Sequence, residues 1–440
     1  MEFPEFHHDN IGRSDLRAAL SQETTMTAQA LQVRLPLTGF EAPLSEVEQA
    51  IQHSTRKFAQ TVMEPMAARL DKLSAAEAIA KDSPYWKIFP EFGKLGLSIG
   101  ELLQLPAEER GRLMPIIFEE LGAGDGGLAI SLGASILPWL MIYATGKTGL
   151  LARYPEGSAI GCWGITEPDH GSDSLDFGRM CAQPGSEYGH PNCVVRPDGD
   201  GFIIKGQKSA WVSNGTVAQL CVLFAAYDDG SGEPAHCVVL VPLDAAGVTR
   251  GKPLEKLGQR ALPQGELYFD DVRIPADHLL AGPGAEYEQA AYIILAEANA
   301  LMGSIWVGAA RRAYEHALNY AHDRKQGGVP IIRHQNVRYR LFHMMRRVEA
   351  ARALNHRVHL FNATAPVPAL QGSIATKITS TQTAFDVASD AIQMFGGNGL
   401  TREYPVEKLM RDARASMIED GCNEMLAIKG GTLLIDSDRI

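Results

Sequence analysis

The hydrophobic period of this chain switches twice along its length, and that constrains the fold more than any single residue. From Leu44 to about Tyr154, apolar residues recur every three or four positions, as in "LSEVEQAIQHSTRKFAQTVMEPMAARL" and "RLMPIIFEELGAG", the spacing that lines one face of a helix. Between Ala159 and Pro275 the texture becomes short apolar or alternating runs broken by turns, "AIGCWGI", "GFIIKG", "LCVLFAAY", "HCVVLVPL" and "ELYFDDVRIP", which reads as a β domain. After "AGPGAEYEQ" the helical period returns in three stretches, each long enough for a bundle helix: "AAYIILAEANALMGSIWVGAARRAYEHALNYAHDRK", "HQNVRYRLFHMMRRVEAARALNHRVHLF" and "ATKITSTQTAFDVASDAIQMF". The order predicts a mainly α member of the α+β class, with helices over residues 44–158, a β domain over 159–280 and a helical bundle over 281–440. Residues 1–43 lack clear periodicity and read as a variable or disordered leader; Met26 opens "MTAQALQV" as a native start would.

Charge and cysteine usage narrow the function. A formal charge of -11 with no long Lys/Arg run argues against a nucleic-acid partner, because phosphate binding needs a concentrated basic surface. The six cysteines (Cys162, Cys181, Cys193, Cys221, Cys237, Cys422) form no CxxC pair, so reduced thiols in a cytoplasmic setting are expected and no zinc or other metal site is. No apolar run approaches the roughly 20 residues that span a bilayer, and the N-terminal stretch has neither a basic nor an apolar signal region.

Two strings in the β domain carry more polarity than packing requires. "TEPDHGSD", Thr166 to Asp173, gathers hydroxyls, acids and glycine in a loop just after a strand, where backbone amides and side chains grip a polar ligand; taken alone it reads first as an Asp/Ser-rich turn. "GFIIKGQKSAWVSNG", Gly201 to Gly215, is hairpin-like and puts Trp211 and Ser213 on one strand face, suited to a flat heterocycle. Trp211 by itself reads first as a core aromatic.

Taken in order, these strings resemble the acyl-CoA dehydrogenase family of flavoproteins from about Leu44 to about residue 430. "TEPDHGSD" is similar to the family's Thr-Glu-Pro-x-x-Gly-Ser-Asp loop and "WVSNG" to its flavin strand. "EKLGQRALPQGELYFDDVRIP" matches the segment closing the β domain, and "RKQGGVPIIRHQ" with "IQMFGGNGLTREYPVEKLMRDAR" matches the C-terminal signature. The resemblance implies an N-terminal helical domain, a central β domain and a C-terminal four-helix bundle. It also implies FAD as cofactor, an acyl-CoA substrate, electron-transferring flavoprotein as acceptor, and a homotetramer or homodimer.

The same resemblance assigns residues. Trp163, Ile165 and Thr166 would line the isoalloxazine, Trp211 and Ser213 would flank its N5 edge, and Ser172 would lie where flavin and the CoA chain meet. Arg324, His334, Gln335, Gln393, Gly396 and Gly397 would hold pyrophosphate and adenine across a subunit interface, Arg as a forked donor and glycines by permitting close backbone approach. Cys422 and Glu424 would join the cofactor site, and Asn299 and Gly421 the substrate site. The "GGNG" string is also a helix C-cap and turn.

In this family a carboxylate removes the acyl-CoA α proton while the β hydrogen leaves as hydride to flavin N5. The usual base is a Glu in Tyr-Glu-Gly-Thr, seven positions after the alanine of Met-Arg-Asp-Ala. Seven from Ala413 is Asp420, with Glu419 in the tyrosine position and Cys422 in the threonine position. Burial beside flavin and thioester would raise an aspartate toward useful basicity. One methylene fewer withdraws the carboxylate by roughly 1.5 Å, so substrate or helix must sit differently. Some subfamilies keep the base on the long helix, but the matching pair here is Ala298 and Asn299, and Glu297 misses by one residue, about 100° around the helix. Asp420 therefore ranks ahead of Glu297 and Glu419; its bland alternative is a cap for a helix opening at Gly421.

Other members with an aspartate here act on alicyclic acyl-CoAs, which suggests a cyclic or bulky acyl group. The nitroalkane oxidases also share the aspartate, but they place an Arg and a Ser where this chain has Ala427 and Ala298. DNA-protecting or scaffold relatives use a basic C-terminal surface, whereas this chain ends "GCNEMLAIKGGTLLIDSDRI". Gln326, Gly327, Leu262 and Gln264 depart from family habit and leave the acyl pocket open.

Overall fold

A computed structural model of the protein describes residues 39–40, 43–175 and 192–435. The leader expected over residues 1–43 therefore falls almost wholly outside the described residues, as does Cys181; the fold is that of the unit Ala42–Ile440.

The first long helix, α1 (Glu46–Phe58), opens on a reciprocal cap: Ser45 Oγ accepts from the Glu48 amide at 3.2 Å and Glu48 accepts from the Ser45 amide at 2.7 Å. Helices α2 (Ala107–Gly124) and α3 (Gly126–Ala144) meet at one extended residue, Asp125, whose carboxylate caps α3 by accepting from the Leu128 amide at 2.8 Å. A single residue thus ends one helix and starts the next.

Eight strands among the described residues form one mixed sheet. They are β1 (Gly161–Gly164), β2 (Val194–Asp198), β3 (Gly201–Ser213), β4 (Leu220–Tyr227), β5 (Ala235–Pro242), β6 (Val248–Arg250), β7 (Gln264–Pro275) and β8 (Leu279–Ala281). Their spatial order is β6-β7-β3-β2-β4-β5-β8, with β1 parallel to β4. The string expected as a hairpin is instead the single 13-residue strand β3, paired with β2 on one side and β7 on the other. A register shift between Lys208 and Val212 bends it where a turn was expected.

The C-terminal bundle contains α4 (Ala285–Asp323), α5 (Gln335–Thr364), α6 (Leu370–Phe395), α7 (Val406–Ser416) and α8 (Asn423–Thr432). At 39 residues, α4 runs about 58 Å and passes α2 at backbone contact. A Cβ on Gly122 would lie 2.0 Å from the Ile305 carbonyl oxygen, and one on Gly308 would lie 2.0 Å from that of Glu119. Beside this crossing, Glu120 accepts both Arg311 nitrogens at 2.9 and 2.7 Å and pairs with Arg56, while Glu119 pairs with Arg352 at 2.8 Å. Burial alone would raise the Glu119 carboxyl, but Arg352 and Arg311 outweigh it and hold it well below the usual carboxylate range. Removing one partner from such a buried cluster costs about 3–5 kcal/mol.

Contrary to the reading that no run is long enough, α3 and α4 are both long and apolar enough to cross a bilayer. Their apolar windows are 72% and 89% buried inside the protein, as core helices are.

Candidate active site

Helices α2, α3 and α4, the sheet and residues 414–421 enclose a cavity of about 600 Å³. The part of its wall from α2, α3 and α4 is apolar: Phe118 from α2; Ile130, Gly133, Ala134 and Leu137 from α3; Ala298, Leu301, Met302 and Ile305 from α4, while α7 adds Arg414. The sheet side contributes Trp163, Ile165, Thr166, Ser172, Trp211 and Ser213, and the last segment contributes Glu419, Asp420 and Gly421. The structure therefore brings together residues that the sequence keeps more than 250 positions apart.

The sheet wall is held from behind. Lys208, with none of its side chain exposed, donates to Glu167 at 2.6 Å and to the Ile165 carbonyl at 3.1 Å, and Glu167 also accepts the Cys193 amide at 3.1 Å. The Ser209 amide bonds the Thr166 carbonyl at 2.8 Å. The acid of "TEPDHGSD" thus anchors its loop, leaving Thr166 and Ser172 to face the cavity. Asn214, buried in the left-handed conformation (φ 63°), donates to the Ser131 and Gly161 carbonyls at 2.8 and 3.1 Å and so pins the end of β3 to α3 and β1. Its side-chain oxygen accepts from Ser131 and Tyr85. Just before it, Trp211 remains 58% exposed, beside the bend in β3.

Asp420 also lies in the left-handed region (φ 50°), followed by Gly421 at φ 92°. Aspartate enters that region several-fold more readily than most residues, a physical reason for a short acid here. The Asp420 carboxyl is pushed up to about 6 by burial, opposed by Lys377. Glu419 is pushed up to about 8 by burial and by its neighbour Asp420, and accepts from Gln259 Nε2 at 2.6 Å. Lys377 donates to the Gly421 carbonyl at 2.8 Å and is brought down to about 8 by burial. Lys256, also brought down to about 8 by burial, donates to Gln264 Oε1 at 2.8 Å, and Gln264 Nε2 donates to Ser213 Oγ at 3.2 Å. Sequence reasoning missed Lys208, Lys256, Lys377 and Gln259 as parts of the site, and Gln264 as the link that orients Ser213. Of these, only Lys377 carried a signal, a Lys set among apolar and hydroxyl neighbours in "IATKITS".

The segment reaches the cavity through α7. Arg411 pairs with Asp71 at 2.8 and 3.0 Å and donates to the Leu257 carbonyl at 3.0 Å; Lys408 pairs with Asp125 and Asp412; Asp412 accepts the Gln259 amide. A Cβ on Gly258 would lie 2.3 Å from the Arg411 carbonyl oxygen, so this loop and α7 touch backbone to backbone.

Other expected residues fall elsewhere. Glu297 is half-buried, its carboxyl raised by burial, and is not among the lining residues, whereas its neighbour Ala298 is. Asn299 is fully buried, donates to the Leu295 carbonyl at 2.9 Å and does not line the cavity. Cys422 and Glu424 sit just beyond it; Cys422 is the N-cap residue of α8, so Asp420 does not cap that helix. Arg324, Gln335, Gln393, Gly396 and Gly397 are exposed and His334 is half-buried, around the C-terminal ends of α4 and α6 and the start of α5, apart from the cavity within one chain. Gly396 (φ 61°) is the C-cap of α6, so "GGNG" is a helix end as expected.

The wall suits a flat heteroaromatic group such as the isoalloxazine of FAD. Trp163 lines the cavity with its buried indole Nε1 lacking a partner, and a Cβ on Gly171 would meet nothing within 4 Å. Trp211, Thr166 and Ser213 add an aromatic face and two hydroxyls to the same wall.

Comparison with known proteins agrees. Three family models match in order: acyl-CoA dehydrogenase N-terminal domain over residues 45–159, middle domain over 162–272 and C-terminal domain over 289–430. The mitochondrial short-chain specific acyl-CoA dehydrogenase of Rattus norvegicus is 30% identical, over 89% of this chain and 91% of its own. The structure of glutaryl-CoA dehydrogenase from Mycobacterium smegmatis in complex with FADH2 superposes with a TM-score of 0.74 at 26% identity, over 89% of this chain and 95% of that one. A structure described for the electron transferring flavoprotein of Acidaminococcus fermentans gives 0.75 at 26% identity, over 90% and 100%. With three matching domains in sequence and one continuous cavity between them, the chain belongs to the acyl-CoA dehydrogenase family.

Proposed function

We propose that this FAD-dependent oxidoreductase dehydrogenates an acyl-CoA with a cyclic or otherwise bulky acyl group, with Asp420 as the base that takes the α proton. The observation carrying this reading is the placement of Asp420 in a left-handed turn on the cavity wall, with burial raising its carboxyl to about 6. An acid so tuned is ionised at neutral pH yet basic enough to accept a proton from a thioester α carbon. Bound FAD supplies the acceptor for the β hydride. Trp163, Ile165, Thr166, Trp211 and Ser213 would hold its ring system, and the apolar helical wall would exclude water and seat the acyl group.

The exposed Arg324, Gln335, Gln393, Gly396 and Gly397 and half-buried His334 fit the reading that they hold FAD of a neighbouring subunit in a homotetramer or homodimer. Electron-transferring flavoprotein as acceptor is supported by the Acidaminococcus neighbour. The five described cysteines, all unpaired, favour a cytoplasmic setting.

Asp420→Asn tests the base. Asparagine keeps the size and the left-handed backbone but removes basicity, so FAD and acyl-CoA should still bind while anaerobic flavin reduction slows about a hundredfold or more. Full reduction by Asp420→Asn, with the loss appearing in Glu297→Gln instead, would move the base to α4.

A further inference from the structure

Lys377 projects from α6 with none of its side chain exposed. Its ammonium donates to the Gly421 carbonyl at 2.8 Å and to Asn423 Oδ1 at 2.9 Å, and Asn423 Nδ2 donates to Thr381 Oγ1 at 3.1 Å, one turn further along α6. Among the described residues no carboxylate oxygen lies within 4.0 Å of that ammonium. A buried cation held only by neutral oxygens is costly unless a nearby charge compensates. The charge that compensates it first is that of Asp420.

The bonded carbonyl belongs to the turn that presents the acid. Asp420 and Gly421 are both left-handed, and a Cβ on Gly421 would lie 2.3 Å from Leu175 Cδ1, so the turn is packed as well as bent. We infer that Lys377 is a positioning residue for Asp420: its bond to the Gly421 carbonyl fixes the turn that faces the carboxylate into the cavity, and its charge holds that carboxylate ionised. Other groups act from elsewhere. Asp420 pushes its neighbour Glu419 up, Lys256 from the loop before β7 faces Glu419, Arg414 from α7 lines the same cavity, and Glu297 on α4 stays outside the lining. Among the described residues, Lys377 is the cation that opposes burial at the Asp420 carboxyl.

The inference rests on Asp420 being the base, but the coupling is readable without catalysis. In the FAD-loaded protein, the Asp420 carboxyl is followed by 13C NMR, its signal assigned by loss in Asp420→Asn, and anaerobic flavin reduction is followed across pH. Lys377→Gln keeps a donor for the Gly421 carbonyl and loses the charge; Lys377→Met loses both. Asp420 should titrate roughly one unit higher in each variant. The reduction profile of Lys377→Gln should move up with it, about tenfold slower on the acid side and recovered above the limb, while Lys377→Met stays slow at all pH. An Asp420 titration unmoved in Lys377→Gln, or a loss in Lys377→Gln that is the same at every pH, overturns the inference. If Lys377→Met sheds FAD or unfolds, the titration of Lys377→Gln decides alone. A shifted titration with normal flavin reduction in Asp420→Asn would keep the coupling and sink only the assignment of the base.

Discussion

The Cys422 amide donates to Ser172 Oγ at 2.9 Å, joining the loop after β1 to the start of α8 across 250 positions of sequence. Ser172 thereby steadies the residue two places after Asp420 from the opposite wall. Ser172→Ala leaves a half-buried amide without its partner, a loss of about 1 kcal/mol. Flavin reduction at saturating acyl-CoA should slow about tenfold, since small misplacements of a base cost rate, and Ser172→Thr should restore most of it. A higher Kd for ligand with an unchanged saturating rate would show Ser172 to be a ligand contact only.

Asp420→Glu separates backbone from reach. Glutamate enters a φ of 50° at a cost of about 1–2 kcal/mol, and its longer chain crowds a bulky acyl group. The variant should melt a few degrees lower, retain FAD, and reduce flavin about tenfold more slowly with the native substrate. Rates with straight-chain acyl-CoAs should fall less or rise. An equal loss on both substrate classes in a rapid-mixing assay would refute the match between a short base and a bulky acyl group.

Glu419 has a folded value of about 8 against an ordinary 4.5. Between those values the folded protein keeps a proton that the unfolded chain has released, so this group's contribution to stability falls as pH rises through that window. Glu419→Gln keeps the Gln259 contact and cannot ionise. Its melting temperature, compared with the parent, should be similar at pH 5 and higher by several degrees at pH 9. A difference independent of pH would mean that Glu419 does not carry a raised proton affinity.

Gly308→Ala probes the crossing of α2 and α4. The added methyl would meet the Glu119 carbonyl oxygen at 2.0 Å, and overpacking costs about 1–3 kcal/mol, more against backbone. Thermal unfolding should fall by at least several degrees. Gly149→Ala, where a Cβ meets nothing within 4 Å, is the matched control and should melt like the parent.

The three-part architecture was legible because hydrophobic period survives in sequence: the alternation in β7 and the recurrent alanines of α4 report which face is covered. Thr166, Trp211, Ser213 and Asp420 were found because their strings resemble those of the family, and they share one cavity. Lys377 was not, since a lysine within "IATKITS" reads as a solvated position until α8 is seen packed over it. The hairpin expected over residues 201–215 failed for a related reason: whether a bent strand reverses or continues depends on the neighbours it finds, and β2 and β7 lie far from one another in sequence. The left-handed backbone of Asp420 was invisible too, although it accounts for the choice of acid better than composition does.

The α7 clamp sets an order of events during synthesis. Lys408 pairs with Asp125 across 283 positions, and Arg411 with Asp71 across 340. A ribosome releases the helical and β domains long before those cations emerge, and the carboxylates meant to receive them wait without counterions. Contacts of such long sequence separation close late and slowly. The turn at Asp420 follows Arg411 by nine residues, so the carboxylate proposed as the base is among the last parts of the cavity wall to be made.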